Sequence, residues 1–195
     1  MRKLLVTLAI AVALLLGTGS ARADFDDANK AYQRGDFTTA LKMYKPLAEQ
    51  GIARAQTSLG VMYLRGDGVP KDYSEALKWF RLAAEQGEAF AQYSLGNIYA
   101  EGLGVPKNGT EAVKWYLLAA EQGLMRAMRN LAGIYVTGQG TPVNYIKGYM
   151  WSALAKAKGW KESSEAFQWL EAKMTESEIA QAQQLAAEWW KKYNN

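Results

Sequence analysis

ARAQTSLGVMYLRGDGVPKDYSEALKWFRLAAEQG, Ala53 to Gly87, returns 36 residues later as AFAQYSLGNIYAEGLGVPKNGTEAVKWYLLAAEQG, Ala89 to Gly123. A looser third copy runs from Met125 to Gly159, and a partial one precedes the first. Self-similarity at this period is the mark of a stacked repeat architecture, in which each copy buries its apolar face against its neighbours. The predicted fold class is all-α: a right-handed solenoid of antiparallel helix pairs with a C-terminal capping helix pair.

Within each copy the first helix is read from apolar residues at four-residue spacing. They are Ala55, Leu59 and Tyr63, then Ala91, Leu95 and Tyr99, then Ala127, Leu131 and Tyr135. That spacing places them on one helical face. Gly60 and Gly96 interrupt this helix at a cost of up to ~1 kcal/mol relative to alanine, which predicts a close neighbour there. Copy three has Ala132 instead.

A glycine-rich turn follows in each copy: Gly66-Asp67-Gly68, Gly102-Leu103-Gly104 and Gly138-Gln139-Gly140. No strand precedes it and no Lys-Ser/Thr follows in register, so a phosphate-cradling loop is disfavoured and a helix-to-helix turn preferred. Asp36, Asp72, Asn108 and Asn144 recur every 36 residues before a helical pattern, as N-caps do. Glu75 and Glu111, three residues on, predict capping boxes. Asn108-Gly109-Thr110 also matches a glycosylation acceptor, but the cap explains the asparagine better. The second helix carries Ala76, Trp79, Phe80, Ala83 and Ala84, echoed by Ala112, Trp115, Tyr116, Ala119 and Ala120, a stripe expected to face the core, with Trp79, Trp115 and Trp151 read as wedges between successive helix pairs.

The ends of the chain differ. Arg2 and Lys3 precede Leu4 to Leu16, apolar except for Thr7, and Ala21-Arg22-Ala23 supplies an A-x-A cleavage pattern. Residues 1–23 are thus expected to be a cleavable signal peptide, cut after Ala23, with the protein periplasmic or secreted. Thirteen apolar residues are short of the roughly 20 that a membrane span needs. Without a following cysteine, lipid attachment is excluded.

Of the chain's 195 residues, 23 are basic and 19 acidic. Arg2, Lys3 and Arg22 leave with the signal, so 20 basic residues face 19 acidic ones, a net charge of +1. The basic balance therefore gives no support for nucleic-acid binding. Beyond the third copy, Ser163 to Met174 is predicted to form one helix. Thr175-Glu176-Ser177-Glu178 opens another as a capping box, with Ile179, Ala182, Ala186, Trp189 and Tyr193 on one face and Trp190 at its margin.

These residues resemble the Sel-one-like repeat, of the tetratricopeptide type. The pattern is Ala-x-Ala-x-x-x-Leu-Gly-x-x-Tyr, Gly-x-Gly-Val-x-x-Asp, Ala-x-x-Trp and Ala-Ala-x-x-Gly, matched nearly throughout by two copies. Copy three departs at Thr141, Gly148 and Lys156, which predicts looser packing there. The domain reading is a signal at 1–23, a tetratricopeptide-like pair at 24–52, repeats at 53–88, 89–124 and 125–160, and capping helices at 161–195.

The resemblance implies an adaptor that assembles or regulates other proteins through a concave surface. On the first helix of each pair, the expected binding face carries Arg54 and Thr57, with Ser58 and Val61, in copy one. Copy two places Phe90, Tyr93 and Asn97 there, and copy three Arg126, Arg129 and Asn130. These positions vary between copies while core positions hold. Arginines around a central aromatic pair would suit an extended peptide bearing acidic groups. The alternative is an ordinary solvated face.

The chain has no histidine and no cysteine, which removes the usual acid–base switch, thiol nucleophiles and most zinc sites. No catalytic, metal-binding or cofactor-binding residue is assigned and no cofactor is expected. A second functional class is a binder of a small molecule or cell-wall fragment around Phe90 and Tyr93. An envelope hydrolase using paired carboxylates ranks below both.

Overall fold

The computed structural model describes residues 22–161 and 164–193 of the chain. The expected signal segment therefore lies outside the described residues, except for residues 22 and 23, which already belong to helix α1 (residues 22–33). Ser163 is likewise outside them. Among the described residues nine helices follow: α2 (Phe37–Glu49), α3 (Ala53–Arg65), α4 (Tyr73–Glu85), α5 (Ala89–Glu101), α6 (Gly109–Glu121), α7 (Met125–Thr137), α8 (Tyr145–Ala157), α9 (Ser164–Glu171) and α10 (Glu176–Tyr193). No strand occurs among the described residues. The chain divides into two compact units, Met1–Ala83 and Ala84–Asn195.

In the first unit, α1 and α2 enclose Ala28, Ala31, Ala40 and Tyr44, and α3 adds Ala55, Leu59 and Met62 to the same core. The Tyr44 hydroxyl donates to Asn29 Oδ1 at 2.6 Å, so a fully buried phenol keeps its hydrogen bond. Gln56, itself buried, donates from Nε2 to the Ala48 carbonyl at 3.1 Å, tying the start of α3 to the end of α2. The close neighbour expected at Gly60 is a side chain: a β-carbon there would stand 2.7 Å from the Phe80 ring.

The second unit repeats the arrangement. Gln92 donates to the Ala84 carbonyl at 3.2 Å, and Gly96 faces the Tyr116 ring. Tyr116 shares one core with Ala112, Ala119, Ala127, Leu131 and Leu154. The helix α10 packs on α8, with the Trp189 ring edge-on to Trp151 at 5.5 Å. The face predicted for α10 is the one it turns inward. Ala182 is fully buried, Ile179, Ala186, Trp189 and Tyr193 are half-buried, and Trp190 is exposed at the margin.

The local signals hold at all four caps. Asp36 accepts from the Thr39 amide at 3.1 Å, Asp72 from Glu75 at 3.0 Å, Asn108 from Glu111 at 3.1 Å and Asn144 from Lys147 at 2.9 Å. Gly66 and Gly102 end their helices at φ 83 and 75, the left-handed conformation that a side chain resists.

Three expectations are corrected. Glu75 and Glu111 do not reach back to the cap amides, because the Tyr63 and Tyr99 carbonyls already accept from Asp72 and Asn108 at 2.9 Å. The glutamates lean forward instead, towards Lys78 at 3.3 Å and Lys114 at 3.8 Å. Phe80 and Tyr116, one residue after the tryptophans, are fully buried, as is Tyr44 36 residues before Phe80. Trp79 and Trp115 are only half-buried, and only Trp151, covered by α10, is enclosed. Finally, Gly148 does not loosen copy three. It is buried, and a β-carbon on it would stand 2.6 Å from Val136, so its smallness draws α8 closer to α7.

Candidate functional site

The sequence-predicted residues of the second unit converge on one face of α5 and α7. Phe90 and Tyr93, one turn apart on α5, have ring centroids 5.9 Å apart, and Tyr93 lies a further 5.9 Å from the Tyr116 ring of α6. Beside this aromatic line the Tyr116 hydroxyl donates to Asn97 Oδ1 at 2.7 Å. The same oxygen accepts from Asn130 Nδ2 at 3.1 Å, so three helices meet at one side-chain carbonyl. Burial pushes the Tyr116 phenol well above its ordinary value of 10.0, with the Asn130 amide pulling the other way, and the hydroxyl stays a donor at physiological pH.

Asn97, Tyr116, Asn130 and Arg129 line an open cleft of about 440 Å³, with Glu101 and Lys107 along its wall. Arg129 and Gly133 also line a second, more apolar pocket of about 410 Å³, whose other walls are Ala132, Val136, Trp160 and Trp169. One exposed arginine thus borders both. Arg126 is exposed one turn earlier on α7.

The first unit offers less. Arg54 is exposed on α3. Thr57 does not present itself as a contact residue: it is 8% exposed and its hydroxyl donates to the Ala53 carbonyl at 2.9 Å.

Sequence reasoning passed over Ser152, Trp160 and Trp169. The signal for Ser152 was present in the repeat itself, since it aligns with Phe80 and Tyr116. Among the described residues no group of histidine, cysteine, aspartate or glutamate is arranged to hold a metal ion, and no helix is long and apolar enough to cross a membrane.

Antiparallel helix pairs in tandem, with varied side chains exposed over an invariant alanine and leucine core, define an all-helical repeat protein. The Sel1 repeat profile matches residues 53–88, 89–124 and 126–160, and the chain belongs to that family. Solved structures similar to it include a Sel1 repeat protein from Oxalobacter formigenes. That likeness is 36% identical with a TM-score of 0.65, over 69% of this chain and 56% of the other. A second is a protective antigen present in uropathogenic Escherichia coli strains, displaying an SLR fold. It is 30% identical with a TM-score of 0.75, over 91% of this chain and 39% of the other. The chain therefore spans less than two thirds of either relative. No curated protein matches it. Repeats of this family generally serve as scaffolds for protein–protein interaction and are typically not enzymes.

Proposed function

We propose that this protein is an exported, non-enzymatic interaction scaffold that takes a protein or peptide partner on the α5–α7 face of its second unit. The observation that carries the reading is that two openings of the second unit share an exposed arginine. Arg129 and Gly133 line both the open cleft beside Asn97 and Tyr116 and the neighbouring apolar pocket. A cleft and a pocket with an arginine bordering both suit an extended chain with acidic groups, because arginine pairs with carboxylates in a fixed two-pronged geometry. Export is supported by the basic start, apolar run and Ala21-Arg22-Ala23 pattern of the first residues.

The test is affinity capture from envelope extract, with the captured protein then purified and titrated against the scaffold. Beside it runs a variant with Arg126 and Arg129 changed to Glu. Both arginines are exposed, so the variant is expected to melt as the parent does while binding the partner at least about tenfold more weakly. Equal binding by the variant would remove the face from consideration. Saturable binding of wall fragments with no protein captured would favour the small-ligand reading.

A further inference from the structure

The second helix of each repeat places one residue against the small residue in the middle of the first helix. In copy one the pair is Phe80 against Gly60, and in copy two Tyr116 against Gly96. Both rings are fully buried, and each glycine lacks the β-carbon with which the ring would collide. In copy three the corresponding pair is Ser152 with Ala132. Serine is far smaller than either ring, and the extra methyl of alanine does not replace the lost volume.

Ala132 and Ser152 both line the 410 Å³ pocket. Its volume falls within the range of roughly 300–1,000 Å³ typical of sites for small ligands and side-chain anchors. Trp160, Trp169 and Leu170 form the opposite wall, and Trp169 is 47% exposed, so the pocket opens to solvent beside an indole face. Arg129 lines the pocket itself, Lys173 Nζ sits 5.7 Å from the Trp169 ring centroid, and among the described residues no carboxylate lines the pocket. A site ordinarily filled by an aromatic ring from within is thus open from outside, apolar inside and cationic at its edge.

We propose that this pocket is the anchor site of the scaffold. It takes one aromatic side chain of a partner polypeptide, and an acidic residue next to that side chain pairs with Arg129. The proposal rests on the interaction-scaffold reading above and names the chemistry its groove selects.

The test uses the full chain and a blocked pentapeptide with phenylalanine and aspartate adjacent at its centre. Control peptides carry leucine for the phenylalanine or asparagine for the aspartate. Binding is read by calorimetry and by the fluorescence of Trp160 and Trp169. The decisive variant is the double substitution Ala132→Gly with Ser152→Phe, which recreates the Gly96–Tyr116 type of pair and fills the pocket from inside. Trp169→Ala, at an exposed position, is the second variant should the first fold poorly.

The parent is expected to bind the pentapeptide saturably and the leucine peptide at least about tenfold more weakly. Arg129→Gln should weaken the pentapeptide but not the asparagine peptide. The filled variant should lose binding while melting at or above the parent temperature, and Trp169→Ala should lose at least about tenfold. Equal binding by a folded filled variant or by Trp169→Ala would overturn the proposal, as would no saturable binding by the parent. If the parent still captures a protein partner in either case, the pocket assignment falls and the scaffold reading stands.

Discussion

The ring of Tyr116 occupies the space into which a β-carbon on Gly96 would project. Glycine is therefore required by packing at a position where the backbone itself is ordinary helix. Gly96→Ala should force the ring aside and destabilise the second unit by about 1–3 kcal/mol, the usual range for overpacking. Urea denaturation followed by circular dichroism measures this. Combining it with Tyr116→Ser, which copies the third repeat, should give a loss smaller than the sum of the two single changes. Strict additivity would show that the residues do not compete for space.

Asn97 joins α5, α6 and α7 through one oxygen. Asn97→Ala would leave the buried Tyr116 hydroxyl without its acceptor and release Asn130, costing about 1–3 kcal/mol. Asn97→Asp, which keeps an acceptor at that point, should cost less. If alanine and aspartate variants unfold at the same urea concentration, the hydrogen bonds contribute little and the site is held by packing alone.

Tyr116 also sets an alkaline limit. Burial raises its folded-state pKa above the ordinary 10.0, so the neutral phenol is favoured in the fold. That contribution is fully present below pH 10 and is lost as the pH rises towards the folded value, because the unfolded chain releases the proton first. Tyr116→Phe is expected to be less stable at neutral pH by about 1 kcal/mol, the net value of one hydrogen bond. Above pH 10 the gap should narrow, as measured by denaturation midpoints across pH. A constant gap would mean that Tyr116 does not titrate with unfolding.

The acid side is reported by Glu178. Its carboxylate accepts from the Thr175 amide at 2.8 Å and the Thr175 hydroxyl at 3.0 Å, and these bonds hold its pKa below the ordinary 4.5. A lowered carboxylate pKa contributes stability above pH 4.5 that disappears as pH falls through the folded value. Protection from hydrogen exchange in the first turn of α10, relative to the unstructured rate at the same pH, should therefore fall below pH 4.5 in the parent. In Glu178→Gln that protection should be lower at neutral pH and constant across the window. Identical exchange profiles in the two proteins would exclude this cap as the cause.

Much of this architecture could be read from the chain because it is set by residues a few positions apart. A cap at Asp72 or Asn144 needs only the amides that follow it, and Gly66 needs only its own backbone angle. What escaped reading depends on residues that meet through the fold. The glutamates of the expected capping boxes were displaced by the Tyr63 and Tyr99 carbonyls, which arrive across the glycine turn. Periodicity placed the tryptophans in one stripe with Phe80 and Tyr116, but it did not show that the tryptophans lie at the edge of that stripe while Phe80 and Tyr116 reach its centre. The arginines and aromatics of the candidate face were legible as variable positions between constant ones. Thr57 sat on the same spacing, yet it is buried and bonded within its helix, and spacing alone does not show how far a neighbouring element overlaps an edge. The apolar pocket hinges on one small residue, Ser152, whose meaning depends on the ring it replaces.

The carbonyl-to-cap bonds of Tyr63 with Asp72, Tyr99 with Asn108 and Tyr135 with Asn144 each join residues nine positions apart. Loops this short close in tens of nanoseconds and carry a small entropy cost, so a helix pair can be latched before any distant segment arrives. Such a chain has a low mean sequence separation between its contacts, which is the condition for rapid folding. Each pair can then act as a separate nucleus from which order spreads to the next. For a chain that emerges from synthesis one end first, that gives a vectorial assembly route: every latch forms from residues already in hand, without waiting for the C-terminus.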